Sequence, residues 1–283
     1  MARTQSRYHR KRNSRQVTLL IIIICTLSIV AIARTTHRCS SPKPIDPSAM
    51  PASSELLHVV SQTPTNSRLI HYKGMDVSFN NELHIPNWVA WDLTANEADG
   101  LEPRYNRFMA DPNIRESATP ADYKLSGYDR GHMAPAGDMK WSEQSMVQSF
   151  YMTNICPQVH SLNAGPWKKL EEKCRLWART DSVIYIVCGP VLSKTPDEYI
   201  GASKVAVPQQ FFKVIISPYT NPPRGIGFIF NNGDNPGGMQ KCARTIDQVE
   251  TLTGYDFFSA LPDTIENQLE RQNELHKWPT HLK

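Results

Sequence analysis

The sequence lacks the cysteine patterns of the common zinc-binding modules. None of its six cysteines forms a Cys-x-x-Cys pair, and no cluster of cysteine and histidine has zinc-finger spacing. No internal repeat is found along the 283 residues, which excludes a repeat architecture. If the chain is exported, these cysteines are compatible with one or two disulfides. They are equally compatible with buried free thiols. The cysteines are Cys25, Cys39, Cys156, Cys174, Cys188 and Cys242.

The chain also lacks an excess of positive charge beyond its N-terminal part. In total it has 31 Lys and Arg against 27 Asp and Glu, a net charge of +4. Residues 1–43 hold nine of the basic residues and no acidic residue, which leaves 22 basic against 27 acidic residues in the remainder. Bulk charge therefore gives this remainder no general attraction for a polyanion. Binding of a nucleic acid would require a local basic cleft or a bound cation.

Residues 17–33 contain no charged residue, and six basic residues precede them in 1–16. At 1.5 Å per residue this run spans about 25 Å, the short end of a bilayer-crossing helix. The basic flank predicts a cytoplasmic N-terminus over 1–16 and a transmembrane anchor over 17–33. A cleaved signal peptide is the alternative, because Ala31-Ile32-Ala33 matches the Ala-x-Ala pattern. Both interpretations export the rest of the chain, either membrane-anchored at the periplasmic or cell-surface side, or secreted.

Residues 34–66 are rich in Pro, Ser and Thr and predict an extended linker, although the apolar stretch 56–60 is able to dock on a domain. A domain of mixed α+β patterning is predicted over 67–276, followed by a tail over 277–283. Strands are expected over 71–79, 85–93, 182–188, 211–217 and 225–230. Helices are expected over 142–151, 166–178, 242–253 and 262–269.

The densest group of chemically active side chains lies in residues 128–135, Tyr-Asp-Arg-Gly-His-Met-Ala-Pro. Asp129, Arg130 and His132 supply a carboxylate, a cation and an imidazole within four residues. Gly131 between them is expected to allow a tight turn of the backbone. Hydrolysis of a phosphodiester needs a base for water, positive charge for the phosphate, and groups that hold both in place. The run therefore indicates a candidate catalytic site.

Two further motifs follow in order along the chain. Residues 154–158 are Asn-Ile-Cys-Pro-Gln, and residues 163–171 are Asn-Ala-Gly-Pro-Trp-Lys-Lys-Leu-Glu. Together with Asp-Arg-Gly-His, they resemble the DNA/RNA non-specific endonuclease family, which includes the Serratia nuclease and mitochondrial endonuclease G. The resemblance extends over residues 68–273. It implies an α+β fold with a ββα-metal (His-Me finger) nuclease core in an antiparallel sheet flanked by helices.

The resemblance assigns roles to three residues. His132 is expected to be the general base, and an imidazole of ordinary pKa, near 6.5, suits proton transfer at neutral pH. Asn163 is implied as the sole protein ligand of a hydrated divalent cation, Mg²⁺ with Mn²⁺ as a substitute. An amide oxygen suits Mg²⁺, which keeps several of its waters. Glu171 falls at the edge of the apolar face of the predicted helix 166–178, and the resemblance places it beside the metal, holding a coordinated water.

Four further residues are candidates for the same site. Asn154 is expected to orient the base or the metal waters, with a turn-forming role as the alternative. Asp129 and Arg130 are assigned to the substrate-binding side of the site. Asp129 is expected to orient neighbouring groups or to structure the turn, and Arg130 to contact the substrate phosphate or form a structural ion pair. The resemblance also requires an upstream arginine that stabilises charge on the phosphate. Arg104 is favoured over Arg107 for this role, on spacing alone.

These residues predict a Mg²⁺-dependent endonuclease that cleaves DNA and RNA without sequence selection, because contacts to phosphate carry no sequence information. The alternatives are a non-catalytic protein that captures nucleic acid and a phosphodiesterase acting on another phosphodiester. Retention of His132, Asn163 and Glu171 argues against the first alternative, and only a panel of substrates discriminates the second. The sequence gives no protein partner.

Overall fold

A computed structural model describes residues 50–62, 65–193 and 195–282. The predicted basic N-terminus (1–16), the predicted anchor or signal sequence (17–33) and most of the predicted linker lie outside these residues, as do Cys25 and Cys39. Within the described ranges, no helix is both long enough and apolar enough to cross a membrane.

A seven-stranded antiparallel sheet forms the centre of the described part. The strands in chain order are β1 (Val59–Ser61), β2 (Arg68–His71), β3 (Asp76–Asn80), β4 (Ile85–Thr94), β5 (Asp129–His132), β6 (Ile155–Gln158), β7 (Val183–Val191), β8 (Tyr199–Ile200), β9 (Val205–Ala206), β10 (Gln210–Ser217), β11 (Arg224–Asn231), β12 (Ala243–Arg244) and β13 (Tyr255–Phe257). The order in the large sheet is β12-β11-β10-β7-β4-β3-β2. The strand predicted over 182–188 is therefore confirmed, and it is the middle strand of the seven.

Helices cover both faces of this sheet. They are Ser53–Leu56, Ala95–Ala98, Glu143–Ser149, His160–Leu162, Lys168–Asp181, Met239–Cys242, Ile246–Thr253 and Asp263–Glu270. A π-helical turn, Asn163–Trp167, precedes the longest of them. Short 3₁₀ turns lie at Pro120–Tyr123, Ala136–Asp138, Met152–Asn154 and Leu275–Lys277.

The period of two along each strand separates two hydrophobic cores. On β7, Ile184 and Ile186 face the core beneath the helix Lys168–Asp181. The alternating residues Tyr185 and Val187 face the opposite core, which contains the helices Ile246–Thr253 and Asp263–Glu270. Because both faces are covered, the strands of the middle of the sheet are apolar on both sides, and they are recognisable in the sequence as continuous apolar runs.

Among the described residues, the folded part extends beyond both predicted ends of the domain, residues 67 and 276. Residues 53–61, assigned to the linker 34–66, form a helix and the strand β1, which pairs antiparallel with β13. Leu56 in this segment is fully buried, so burial of the apolar stretch defeats the extended conformation. In the predicted tail, Trp278 is 3% exposed and its ring lies 4.4 Å from that of Trp177.

Two predicted elements are divided in the structure. The strand expected over 71–79 is interrupted by a turn in which the Tyr72 amide donates to the Met75 carbonyl at 2.9 Å. The helix expected over 242–253 is broken where Ala243 and Arg244 pair with β11. Thr245 then caps the next helix by accepting a hydrogen bond from the Gln248 amide. In both places backbone hydrogen bonds interrupt an element that the periodicity of the apolar residues predicted to be continuous.

Candidate active site

The strands β5 and β6 pair antiparallel outside the large sheet, and the helix Lys168–Asp181 completes a ββα unit with them. Gly131 stands opposite Cys156 in this pair. A Cβ atom added to Gly131 would lie 2.1 Å from Oε1 of Gln158. The glycine is therefore required by the close approach of a side chain and not by a tight turn, which corrects the expectation from the sequence.

His132 ends β5 with 9% of its surface exposed. Its ring centroid lies 5.2 Å from that of Phe108 and 5.0 Å from that of Phe150. Burial, and then the charge of Arg104, lower the pKa of His132 to about 3. Its Nε2 atom is buried without a hydrogen-bond partner among the described residues. The imidazole is therefore neutral and able to accept a proton, whereas the sequence suggested an ordinary pKa near neutrality.

Asp129 holds the side chain of Asn163. The Asn163 Nδ2 donates to Asp129 Oδ2 at 2.9 Å, and Nδ1 of His160 lies 2.8 Å from the same carboxylate oxygen. Since the amide nitrogen is engaged, the Oδ1 end of Asn163 is the end left for another partner. An oxygen ligand held in this way fits a hard divalent cation such as Mg²⁺.

A kink in the backbone just before the long helix sets the orientation of that helix. Gly165 has φ −100° and ψ −118°, which are not helical values, and Pro166 follows it. Proline suits the start of a helix because its missing N–H would be unpaired there in any case. Beyond the kink, Lys168, Glu171 and Arg175 follow at spacings of three and four residues, which places them on one side of the helix. All three line the same cavity.

Buried charges lie behind Glu171. Burial raises the pKa of Glu171 to about 7, against the opposing effect of Lys213. Lys213 is fully buried on β10, with Nζ 4.4 Å from the centroid of the Trp167 ring. Burial acts to lower the pKa of Lys213, but the neighbouring thiols and carboxylates outweigh it and the pKa is raised. Asp138, whose side chain is fully buried, pairs with Arg175 at 2.7 Å and so fixes that arginine beside the cavity.

Two arginines bring positive charge to the cavity. The guanidinium carbon of Arg104 lies 5.0 Å from the centroid of the Phe150 ring, a cation–π arrangement that positions the side chain. Arg130 also lines the cavity, and its Nη2 donates to the Pro120 carbonyl at 2.9 Å. Arg107 is exposed and does not line this cavity. Of the two upstream candidates, the geometry therefore brings Arg104 to the site.

Asn154 lies away from the cavity wall. Its side chain is fully buried and brackets the backbone of Ala134, accepting from the amide at 2.9 Å and donating to the carbonyl at 2.8 Å. A third hydrogen bond joins Nδ2 to the Ser149 carbonyl at 2.9 Å. The Asn154 side chain therefore holds the backbone that follows His132 in place. Asn154 itself does not line the cavity.

These elements enclose a cavity of about 620 Å³. Six of the seven site residues predicted from the sequence line it: Arg104, Asp129, Arg130, His132, Asn163 and Glu171. Their chemical roles stay predictions. The sequence reasoning did not identify the further lining residues Phe108, Tyr123, Tyr128, Lys168 and Arg175 as parts of the site. The helical spacing from Glu171 was a sufficient signal for Lys168 and Arg175. Tyr128 begins the run that indicated the site, whereas no pattern in the sequence indicated Tyr123.

The four cysteines in the described ranges are buried free thiols. The sequence left open whether the cysteines form disulfides or remain buried free thiols, and these four form no disulfide. Burial raises the pKa of Cys156, which stands within the second motif. A buried protonated thiol is a poor nucleophile, so its position gives Cys156 a packing role.

Residues 52–264 match the family described as DNA/RNA non-specific endonuclease. The Xenopus laevis protein named "Nuclease EXOG, mitochondrial" is 33% identical over 216 residues, covering 70% of this chain and 60% of that protein. "Nuclease C1" of Cunninghamella echinulata var. echinulata is 33% identical over 202 residues, covering 65% of this chain and 80% of that protein. The chain thus spans less than two thirds of the frog protein's length.

The fold also matches a solved structure, that of the EndoG/EndoGI complex, which concerns the mechanism of EndoG inhibition. The TM-score is 0.66 at 28% identity, and the match covers 75% of this chain and 93% of that chain. The α+β fold expected from the sequence, a ββα core with an antiparallel sheet flanked by helices, is confirmed by this match.

Proposed function

This chain belongs to the DNA/RNA non-specific endonuclease family, and from that membership we infer that it is a divalent-metal-dependent enzyme that hydrolyses the phosphodiester bonds of DNA and RNA without sequence selection. One observation carries the proposal. The neutral ring of His132, the cations Arg104 and Arg130, and the oxygen groups of Asn163 and Glu171 all line a single cavity. The base, the positive charges and the oxygen groups that phosphodiester hydrolysis requires therefore line one cavity.

His132 is the general base in this proposal. Its low pKa keeps it unprotonated at neutral pH, but a base of pKa about 3 is weak. Entry of an anionic phosphate leaves the ring buried but acts against the second cause of that low value, the charge of Arg104. The negative charge favours the imidazolium form and offsets the positive charge of Arg104. His132 therefore becomes a stronger base when the substrate is in place, and it accepts the proton of the attacking water.

Arg104 and Arg130 act on the phosphate. Phosphoryl oxygens gain negative charge as water attacks, and positioned guanidinium groups stabilise that charge more strongly in an enclosed site than in water. These contacts address the sugar-phosphate backbone, so they are the same for every base sequence. A local group of cations also accounts for polyanion binding by a domain whose bulk charge is negative.

A divalent cation fits the Asn163 side of the cavity. The amide of Asn163 is oriented by Asp129, and the carboxyl group of Glu171 lines the same cavity, so the two residues offer hard oxygen atoms. We propose Mg²⁺, with Mn²⁺ as a substitute, held by Asn163 while Glu171 orients a water beside it. When bound, the cation stabilises negative charge on the phosphate and on the leaving oxygen.

We also propose that the nuclease domain is exported, either anchored through residues 17–33 with the domain outside the cytoplasm or secreted after cleavage near residue 33. The support is the basic flank before an uncharged run in the sequence. Protease added to intact cells should degrade the domain while cytoplasmic markers survive. A domain protected until the membrane is lysed contradicts this orientation, and a soluble form that begins near Arg34 indicates the signal peptide.

The activity is tested with the purified chain on plasmid DNA and on RNA, in EDTA and then with added Mg²⁺. We expect cleavage of both polymers only with the metal, and a loss of about 10²- to 10⁴-fold in His132→Ala, the usual effect of removing a general base. His58→Ala, at an exposed histidine, serves as the matched control. Binding without cleavage would indicate a capture protein, and cleavage confined to small phosphodiesters would indicate the other alternative.

A further inference from the structure

The turn formed by residues 123–126 has an unusual residue at its third position. Lys124 has φ −68° and ψ 125°, Leu125 has φ 58°, and the Ser126 amide donates to the Tyr123 carbonyl at 3.4 Å. These values describe a type II β-turn, in which the third position needs a positive φ and is normally glycine or asparagine. A leucine there places its Cβ too close to the following carbonyl.

Packing within the domain does not explain this leucine. Leu125 is 97% exposed, the highest value among the large hydrophobic residues that the structure describes as exposed. It therefore contributes almost no burial to the fold. The turn itself is held firmly, because Ser126 Oγ donates to the Tyr123 carbonyl at 2.9 Å and accepts from the Tyr128 amide at 3.2 Å. An apolar side chain in an unfavourable backbone conformation is thus held out into solvent by a braced turn.

The turn lies at the rim of the candidate active site. Tyr123, which opens the turn, and Tyr128, which follows it, both line the cavity that contains His132. Lys124 is exposed beside Leu125 and adds a positive charge at the same point. A polymer whose phosphate lies against His132 has neighbouring nucleotides that must pass over the rim. Leu125 is exposed two residues along the chain from Tyr123, and the faces of the bases are the large apolar surfaces that such a polymer carries.

We propose that Leu125 is an apolar wedge that contacts the bases next to the phosphate being cleaved. The proposal rests on the proposed nuclease function and extends it from the phosphate to the bases. Apolar side chains placed between base steps unstack them and hold the strand in a bent form. Contact with base faces is tolerant of sequence, because every base has such a face. Leu125 therefore improves the binding of nucleic acid without selecting a sequence.

The test compares two polymers of equal length, a DNA oligonucleotide and a base-free chain of tetrahydrofuran phosphates. Leu125→Gly and Leu125→Asn remove the wedge and suit the positive φ, so both variants should fold. We expect kcat/KM on DNA to fall about fivefold or more, with cleavage of the base-free chain unchanged. Leu125→Met keeps an apolar side chain and should retain activity on DNA. Leu252→Ala, at an exposed leucine on the opposite face of the sheet, is the control.

The possible results separate the wedge from the underlying function. An unchanged kcat/KM on DNA in both Leu125→Gly and Leu125→Asn overturns the proposal. Equal losses on the two polymers also overturn it, because the turn would then act on the phosphate site and not on the bases. If the unsubstituted chain cleaves neither DNA nor RNA in Mg²⁺, the proposed function fails before any variant is compared.

Discussion

Asn163 donates a hydrogen bond to Asp129, with 2.9 Å between Nδ2 and Oδ2. This bond decides which end of the amide is free, because an amide whose nitrogen is engaged presents its oxygen to any other partner. The same carboxylate oxygen lies 2.8 Å from Nδ1 of His160, so Asp129 connects the start of the motif that contains His132 with the residues just before the long helix. The proposed metal ligand is thus oriented by a residue from a different motif.

We predict that loss of this orientation weakens metal binding. Asn163→Ala removes the ligand and should raise the Mg²⁺ concentration for half-maximal activity most strongly. Asp129→Ala leaves the ligand in place but unoriented, for which an increase of about 10-fold or more is expected. Titration of activity with Mg²⁺ measures the half-maximal concentration in both variants. Glu172→Ala, at an exposed carboxylate, is the control. An unchanged titration in Asn163→Ala would mean that another ligand set holds the ion.

The pH dependence should report Glu171 and not His132. The pKa of Glu171 is raised to about 7, so its carboxylate is lost as the pH falls through that value. In the free protein the pKa of His132 is lowered to about 3, so protonation of its ring affects kcat/KM only at much lower pH. We expect kcat/KM, which reports the free enzyme, to decline below about pH 7, and Glu171→Gln to be slower but without this decline. A decline at the same pH in Glu171→Gln would assign it to another group.

Added cation provides a second test of the same assignment. A positive charge near a carboxylate favours its ionised form and lowers its pKa. Raising the Mg²⁺ concentration should therefore move the decline in activity to lower pH. A decline that does not move between low and saturating Mg²⁺ would argue that Glu171 lies outside the influence of the metal.

Glu171 should also reduce stability at alkaline pH. Its folded pKa lies above that of an unfolded glutamate, so its stabilising effect is complete at low pH and is lost as the pH rises through about 7. At pH 8, Glu171→Gln should therefore raise the free energy of unfolding by about 1–3 kcal/mol. At pH 4 the difference should be close to zero. Urea unfolding at pH 8 and pH 4 measures the free energy of unfolding, with Glu172→Gln as the control. An equal effect of Glu171→Gln at the two pH values would contradict the raised pKa of Glu171.

Asn154 should prove important for position and not for metal binding. Its three hydrogen bonds hold the Ala134 and Ser149 backbone in a fully buried place. Asn154→Ala leaves these groups unpaired and should cost about 2–4 kcal/mol of stability. We expect kcat to fall because His132 is displaced, while the Mg²⁺ titration keeps its midpoint. Thermal unfolding and the titration check this, and a shifted midpoint with unchanged stability would place Asn154 among the metal-binding groups.

The sequence predicted the site better than its surroundings, for physical reasons. Three motifs carry the reacting groups, and the helical period relates Lys168 and Arg175 to Glu171. Lys213 was not predictable, because it occurs within an otherwise apolar strand, and its neighbours come from distant parts of the chain. Residues 53–61 were assigned to a linker because prolines occur on both sides of them, whereas the burial of Leu56 and Leu57 decides their structure.

The pairing of β1 with β13 determines how the protein can be attached to a support. Residues 56–59 pack into the core on the face of the sheet opposite to the helix Lys168–Asp181. These first residues of the domain therefore lie on the side of the sheet opposite to the cavity. A surface that holds the protein by its N-terminal side leaves the mouth of the cavity uncovered, so that long nucleic acids reach it without passing beneath the domain. Attachment through the rim near Leu125 would close that access.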